Sequence, residues 1–397
     1  MLTNKTVVVA VCGSISAYKA CDLVSQLGKL NCTVRVAMTE AACKIIPELP
    51  LEVLSGAHVV TGISPEDCET VDVWLAEADA VVVAPASANT IAYVAMGEAP
   101  SAAAYAVLNA TCPVMVAPAM NVNMYRNVAT QENLEMLRSR GYIVIPPVSG
   151  HLACGDDGEG KLPSIPELID WICREIACEK DLAGKSILVS AGPTREAIDP
   201  VRFITNHSTG TMGYAIARRA MLRGADVTLV SGPVSLTPPP FVNVVDITSA
   251  QDMFEAVSSR ADNQDAVIMA AAIADYRPAD VKGDKIKKAD GAFDIDFERT
   301  PDTLAWLGAH RNGRTLLCGF SMETRDVIEN SRSKLQRKNV DMIAANSLRE
   351  PGAGFGTPTN HLTFITAEGE IDLPLLSKGE AADRLLDELF KLTPKNA

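Results

Sequence analysis

Residues 192–213 read GPTREAIDPVRFITNHSTGTMG, and they lie between a short apolar run at 187–190 and a helical stretch at 214–223. A strand that feeds a polar, glycine-punctuated loop and then a helix is a layout suited to holding phosphate. The first-turn N–H groups of a helix lack intrahelical partners, and the helix dipole is positive at that end. Arg195 and Arg202 add fixed charge, while Asn206, His207, Ser208 and Thr209 add neutral hydrogen-bonding groups. Loops are often polar and rich in glycine, and an isolated glycine pair would say little. Twenty-two residues of this composition at one strand-to-helix junction point to a binding site.

The rest of the chain sets the frame. At 397 residues it exceeds one core, and about 150 residues per domain suggests two or three domains. Hydrophobic residues make up 47% and charged residues 21%, the balance of a soluble globular protein. No run approaches the ~20 apolar residues needed to cross a bilayer. The start, MLTNKTVVVAV, goes straight into a strand-like run without a signal-cleavage pattern, so a cytoplasmic protein with no membrane partner is expected. The net charge of −13 argues against a broad nucleic-acid footprint but leaves room for a local anion site. The ten cysteines are scattered singly, with no C-x-x-C pair and no zinc spacing, as expected of small core residues in a reducing compartment.

Upstream of the opening stretch, residues 6–11 (TVVVAV) read as a buried parallel strand, 16–30 as a helix and 33–38 as the next strand. This βαβ start puts Gly13 and Ser14 at a helix N-terminus, without the full G-x-G-x-x-G dinucleotide pattern. Strands at 80–84 and 114–117 run into matching corners, APAS at 84–87 and APAM at 117–120, whose loops should meet at the carboxyl edge of the sheet. An Ala-rich helix at 101–110 suits close packing against another helix or another subunit. Residues 151–161 (HLACGDDGEGK) read as a glycine-rich loop in which Cys154 is wrong for a core position and points to a reactive thiol or a mobile flap. A second α/β series has strands at 186–190, 226–230, 243–245, 266–270 and 341–344. Lysines cluster at 284–291 (DKIKKADG), and Lys334 and Lys338 share a helix face with no acidic partner placed on it. The fold class expected is α/β, with two doubly wound Rossmann-like domains spanning 1–180 and 181–397.

The motifs carry a family resemblance. AGPTREAIDPVRFITNHSTGTMG at 191–213 resembles the signature of phosphopantothenate–cysteine ligases. GSISAYK at 13–19, APASANT at 84–90, PAMNVNMY at 118–125 and ACGDDGEGK at 153–161 resemble phosphopantothenoylcysteine decarboxylases. The order matches the bifunctional family of bacterial coenzyme A biosynthesis over nearly the whole chain. For the ligase half, the resemblance implies that CTP activates 4′-phosphopantothenate as an acyl-cytidylate, which the amine of cysteine then captures. Charge builds on the triphosphate, so lysines and Mg²⁺ are expected to stabilise it. Lys285 matches the lysine tied to acyl-cytidylate formation, and Lys334 and Lys338 match lysines on CTP. Asp275, Phe320 and the segment Thr300, Pro301, Asp302, Thr303 fall at CTP-binding positions. Arg202, Asn206 and Ala272 match positions linked to the second half-reaction. Thr209 and Thr211 stand where Ser and often Lys or Arg occur, which lowers the expected phosphate affinity without removing the reaction.

For the decarboxylase half, the resemblance implies bound FMN that takes a hydride from the cysteine moiety. The resulting thioaldehyde lets CO₂ leave, and the hydride then returns. Cys154 matches the proton-donating thiol, and Asn121 the residue that grips the substrate carboxylate. Gly13, Ser14, Ile15, Ser87 and Asn89 lie in the FMN-binding motifs. The family implies a trimer-based homo-oligomer, the dodecamer included, with flavin near a subunit boundary.

One departure stands out. The family histidine eight residues before the Asp of a "WAD" segment is Val71 here, next to Asp72; the nearest histidine upstream is His58. A one-residue slip would bring Asp72 into its place, as a different acid–base group. Ala10 also replaces a glycine common in the first loop. A bifunctional enzyme is therefore weighed against a ligase carrying a silent flavoprotein scaffold. A regulatory flavoprotein acting on partner proteins has no use for the ligase lysines, and a nicotinamide dehydrogenase would need the missing glycine fingerprint.

Overall fold

The computed structural model describes residues 2–151, 157–287, 294–323, 326–347 and 356–395. The chain divides into two compact units, Met1–Cys178 and Glu179–Ala397.

In the first unit, β1 (Thr6–Val11), β2 (Thr33–Met38), β3 (Ala80–Ala86), β4 (Val114–Pro118) and β5 (Ile143–Val144) form one parallel sheet in the order β2-β1-β3-β4-β5. The Val-rich strands β1 and β3 are buried on both faces, as a sheet covered by helices requires. The glycine-rich segment expected as a loop is instead bounded by an antiparallel pair, β6 (Val148–His151) with β7 (Asp157–Lys161). The stretch expected as one helix from residue 16 begins as a 3₁₀ turn, Ile15–Lys19, before the α-helix Ala20–Lys29. The Ala-rich helix, Ala102–Leu108, is buried within its own unit against the helix Pro65–Ala76 and β1, so its small residues serve packing inside the unit.

The second unit carries an eight-stranded sheet. Its strands are β8 (Ser186–Ala191), β9 (Asp226–Ser231), β10 (Asn243–Asp246), β11 (Ala266–Met269), β12 (Leu316–Glu323), β13 (Met342–Ser347), β14 (Leu362–Thr366) and β15 (Glu370–Asp372). The order is β10-β9-β8-β11-β12-β13-β14-β15, parallel through β13 and antiparallel beyond it. Numbered from β8, the parallel part follows the 3-2-1-4-5-6 order of a doubly wound Rossmann sheet. The first unit has the flavodoxin-like order 2-1-3-4-5, so both units are of the expected doubly wound class.

Sequence reading omitted β12. Its Gly319 looks like a breaker, yet a Cβ there would lie 2.6 Å from the Leu304 side chain, so glycine is what lets the helix Thr303–Ala309 seat on the strand.

One clasp closes the amino end of both sheets. In the first unit Lys5 Nζ meets Asp79 Oδ1 at 2.8 Å while Thr6 N donates to Asp79 Oδ2 at 2.8 Å. In the second, Lys185 Nζ meets Asp265 Oδ1 at 3.2 Å and Ser186 N donates to Asp265 Oδ2 at 2.8 Å. Each aspartate ties the first strand of its unit to the strand that follows it across the switch in order, leaving the carboxyl ends open for ligands.

Candidate functional site

In the first unit the strand order reverses between β1 and β3, and a cleft of about 1070 Å³ opens at their carboxyl ends. Five helical segments start on its wall. Ser14, Thr39, Ser87, Ser101 and Asn121 all line the cleft, and each is an N-cap. Their side-chain oxygens accept from Ser16 N at 3.4 Å, Ala42 N at 3.1 Å, Thr90 N at 3.3 Å, Ala104 N at 3.3 Å and Asn123 N at 2.8 Å. Helix starts gather unpaired N–H groups and the positive ends of peptide dipoles, so this wall favours an anion. Lys19, Lys44 and Lys161 also line it; Glu40, the acid among the lining residues, is paired with Lys44 at 3.2 Å.

Gly13, Ser14, Ile15, Ser87, Asn89 and Asn121, singled out from the sequence, all face this one cleft. Gly13 is there because a Cβ would lie 2.5 Å from the Ala41 Cβ. Gly160, at φ +129°, would put a Cβ 2.5 Å from the Met120 oxygen, so only glycine lets β7 dock beside the 118–121 corner. The lining also includes Tyr18, Met120 and Met124, and together with the helix starts these suit a flat aromatic cofactor that carries a phosphate.

Cys154 lies outside the described residues. Cys12, next to the cleft in sequence, is no substitute: burial pushes its thiol up to about 11 despite hydrogen bonds with Thr90 and Ser87. Asp72 is not among the lining residues. Its carboxylate accepts from Tyr105 Oη at 2.9 Å and Asn109 Nδ2 at 2.7 Å, and His58 pairs with Glu52 at 2.7 Å.

In the second unit the order reverses between β8 and β11. The opening stretch leaves β8 there, and Pro193 bridges Ala272 beyond the end of β11. Ala272 O accepts from Thr194 N at 3.2 Å and from Asn206 Nδ2 at 3.0 Å, which binds the loop to the sheet edge. Thr194 Oγ1 in turn accepts from Ala274 N at 3.0 Å.

Arg202 is held by a residue that sequence reading passed over. Asp199 Oδ1 accepts from Val201 N and Arg202 N, both at 2.8 Å, and Oδ2 accepts from Arg202 Nε at 2.9 Å and Ile286 N at 3.1 Å. Arg202 Nη2 also donates to Ile286 O at 3.0 Å. The main chain next to Lys285 is thereby fixed to the signature loop from both sides. The Arg202 guanidinium, aided by the Val201, Ile286 and Arg202 amides, holds the Asp199 carboxyl well below the usual carboxylate range against the opposing effect of burial. Asp-Pro at 199–200 was the available signal, since an aspartate before proline commonly opens an Asx turn.

The expected nucleotide residues also meet. Thr300 N donates to Asp275 O at 3.1 Å and Thr300 Oγ1 to Ala274 O at 2.5 Å. Asp302 caps the helix Thr303–Ala309 through Ala305 N at 2.9 Å and forms an ion pair with Lys338. Lys338 thus has an acidic partner after all, on another element where no helix-face reading could find it. Burial raises Asp302, but Lys338, the Ala305 amide and Lys334 outweigh it, and its carboxyl sits below the usual range. Lys334 Nζ donates to Phe320 O at 2.8 Å, joining that residue to the group. Thr303 Oγ1 is buried without a hydrogen-bond partner among the described residues.

Two family models lie end to end on the chain. One, described as Flavoprotein, matches residues 1–177; the other, described as DNA/pantothenate metabolism flavoprotein C-terminal domain, matches residues 182–392. The chain is 42% identical over 396 residues to the coenzyme A biosynthesis bifunctional protein CoaBC of Vibrio vulnificus (strain CMCP6), covering 98% of each. It is 42% identical over 400 residues to the protein of the same name from Bacillus subtilis (strain 168), covering 99% of this chain and 98% of that one. A crystal structure of the C-terminal domain of a CoaBC protein is 47% identical, covers 52% of this chain and 94% of that one, and superposes with a TM-score of 0.45.

Proposed function

Because the chain belongs to the family of coenzyme A biosynthesis bifunctional proteins, we propose that it makes 4′-phosphopantetheine in two steps, one per structural unit. The second unit ligates 4′-phosphopantothenate to cysteine at the expense of CTP. The first unit then decarboxylates the 4′-phosphopantothenoylcysteine so formed, using FMN. The observation that carries this reading is the pair of family models placed end to end, one on each unit.

In the ligase unit, Lys285, Lys334 and Lys338 bring positive charge to the triphosphate, and Thr300, Pro301, Asp302, Thr303, Asp275 and Phe320 form the nucleotide site. Linkage of Asp275, Thr300, Asp302, Lys338, Lys334 and Phe320 by hydrogen bonds and an ion pair supports that grouping. Asn206 and Arg202 hold the activated carboxyl for attack by the amine, beside Ala272. Mg²⁺ accompanies the nucleotide. Its usual coordination draws on phosphate oxygens and water beside one or two carboxylates.

In the flavoprotein unit, Ser14 and Ser87, each at a helix start, bind the phosphate of FMN, while Gly13, Ile15 and Asn89 shape the cleft around the ring. When bound, FMN supplies a hydride acceptor that later returns the hydride. Asn121 orients the substrate carboxylate, and the Cys154 thiol gives a proton to the product. Ile15, Tyr18 and Met124 leave apolar surface exposed at the cleft, and a neighbouring copy in the trimer-based homo-oligomer that the family resemblance implies would cover what the cofactor leaves bare. No described helix is long and apolar enough to cross a membrane.

Purified protein assayed with 4′-phosphopantothenate, cysteine, CTP and Mg²⁺ tests both halves. Pyrophosphate release with formation of 4′-phosphopantothenoylcysteine, then CO₂ from a protein with flavin absorbance, is the expected result. Pyrophosphate without CO₂ would remove the decarboxylase from the reading, and no CTP-dependent pyrophosphate would remove the ligase.

A further inference from the structure

The helix Lys378–Leu389 opens on a buried lysine. Lys378 is 8% exposed, and its ammonium donates to Thr211 Oγ1 over 2.6 Å. Thr211 is itself the first residue of the helix Thr211–Leu222, so this cation stands at the positive ends of two helices. Among the described residues no Asp or Glu forms an ion pair with it. Glu380, the nearest acid in sequence, is engaged by Ser377 N at 3.0 Å and Ser377 Oγ at 2.6 Å. Burial lowers the Lys378 pKa, with no charged neighbour to offset it.

A second buried polar group faces the same helix start. Asn360, 4% exposed, has its Oδ1 without a hydrogen-bond partner, and its Nδ2 reaches the Met212 sulfur at 3.9 Å. The Thr209 and Thr211 hydroxyls are 3.2 Å apart at this point. Gly210, the N-cap, packs so closely on Gly192 that a Cβ would lie 3.3 Å from Gly192 N, so the cluster sits at the mouth of the signature loop. An uncompensated ammonium and an unsatisfied amide are both costly to bury. An anion rich in hydrogen-bond acceptors would compensate the ammonium, whereas the Asn360 oxygen, itself an acceptor, calls for a donor.

We propose that Lys378 binds a phosphate group of a ligase substrate, with the Thr209 and Thr211 hydroxyls completing the site. This rests on the ligase reading above. The phosphate belongs either to the triphosphate of CTP or to the 4′-phosphate of phosphopantothenate, and the two are separable.

The test compares the full-length protein with Lys378→Met and Lys378→Arg. Calorimetric titration with inorganic pyrophosphate and with 4′-phosphopantothenate reads binding without turnover, and steady-state ligation reads KM for each substrate. Lys378→Met should weaken binding and raise the KM of one of them by roughly 10–100-fold, the loss of one charge-assisted contact. Lys378→Arg should recover most of it. A rise confined to CTP and pyrophosphate assigns the triphosphate, and a rise confined to phosphopantothenate assigns the 4′-phosphate.

Without ligand, Lys378→Met should melt at the wild-type temperature or above it, because the substitution removes a buried charge. A lower melting temperature with unchanged affinity for both ligands would overturn the proposal and leave Lys378 a structural residue. Should Lys378→Met fail to fold, Thr211→Val removes the hydroxyl that holds the ammonium, and unchanged binding in that variant would also overturn it. Wild-type protein that does not ligate, yet binds one of these ligands in a Lys378-dependent way, would overturn the ligase reading and leave this site standing.

Discussion

The side-chain amide of Asn206 donates to the main-chain oxygen of Ala272 over 3.0 Å, joining residues 66 apart in sequence. That bond fixes the far arm of the signature loop to the sheet edge at the switch point. Asn206→Ala releases the arm and, on the role proposed for it, removes an amide from the activated carboxyl. Release of pyrophosphate should continue while amide formation falls by about 10²-fold, the scale expected for a lost donor at a reacting carbonyl. Equal losses in the two half-reactions, measured by quenched-flow product analysis, would contradict the role.

Asp302 has two tasks that substitution separates. Asp302→Asn keeps the cap on the helix Thr303–Ala309 and removes the charge beside Lys338. Asp302→Ala removes both, and should be less stable than Asp302→Asn by about 1 kcal/mol in denaturant melts. If the two variants are equally stable, the cap contributes nothing.

The depressed pKa of Asp199 has a defined sign. A carboxyl whose folded pKa lies below its unfolded value stabilises the fold fully above the unfolded value, near ~3.9, and that stability is lost as pH falls through the folded pKa. The stability difference between wild type and Asp199→Asn should therefore stay level from neutral pH down to about pH 4 and shrink below it. A difference that instead shrinks between pH 8 and pH 6 would point to another group.

Gly13→Ala puts a Cβ 2.5 Å from the Ala41 Cβ, and the 13–16 turn must move away from it. The flavin absorbance of the purified variant should drop several-fold relative to protein, with the melting transition of the second unit unchanged. Full flavin content would mean that the turn does not contact the cofactor.

Much of the fold was legible because parallel strands announce themselves as short Val-rich runs and because N-cap residues precede the helices they start. Ser101 could be set at a helix start and Ser87 in a strand-end corner from the sequence, and the structure brings both to one cleft. What escaped depended on partners far away in the chain. Gly319 reads as a break in a strand until the Leu304 side chain arrives from the helix beside it. Lys338 looks unpaired on its own helix, and its aspartate comes from 36 residues upstream. Thr211 looks like a lost cation, yet an ammonium reaches it from Lys378, 167 residues on, in what reads as an ordinary amphipathic helix. Asp199 lay inside the stretch first quoted, but an aspartate followed by proline is ordinary turn chemistry until Ile286 is seen against it.

The five N-caps that line the first cleft also bear on how this chain can change over generations. Positive potential drawn from peptide groups is not encoded by any single codon. A substitution at Ser14, Thr39, Ser87, Ser101 or Asn121 trims one cap and leaves the N–H groups of all five helix starts in place. Drift can therefore vary the side chains around the cleft widely while its preference for an anion is inherited with the fold.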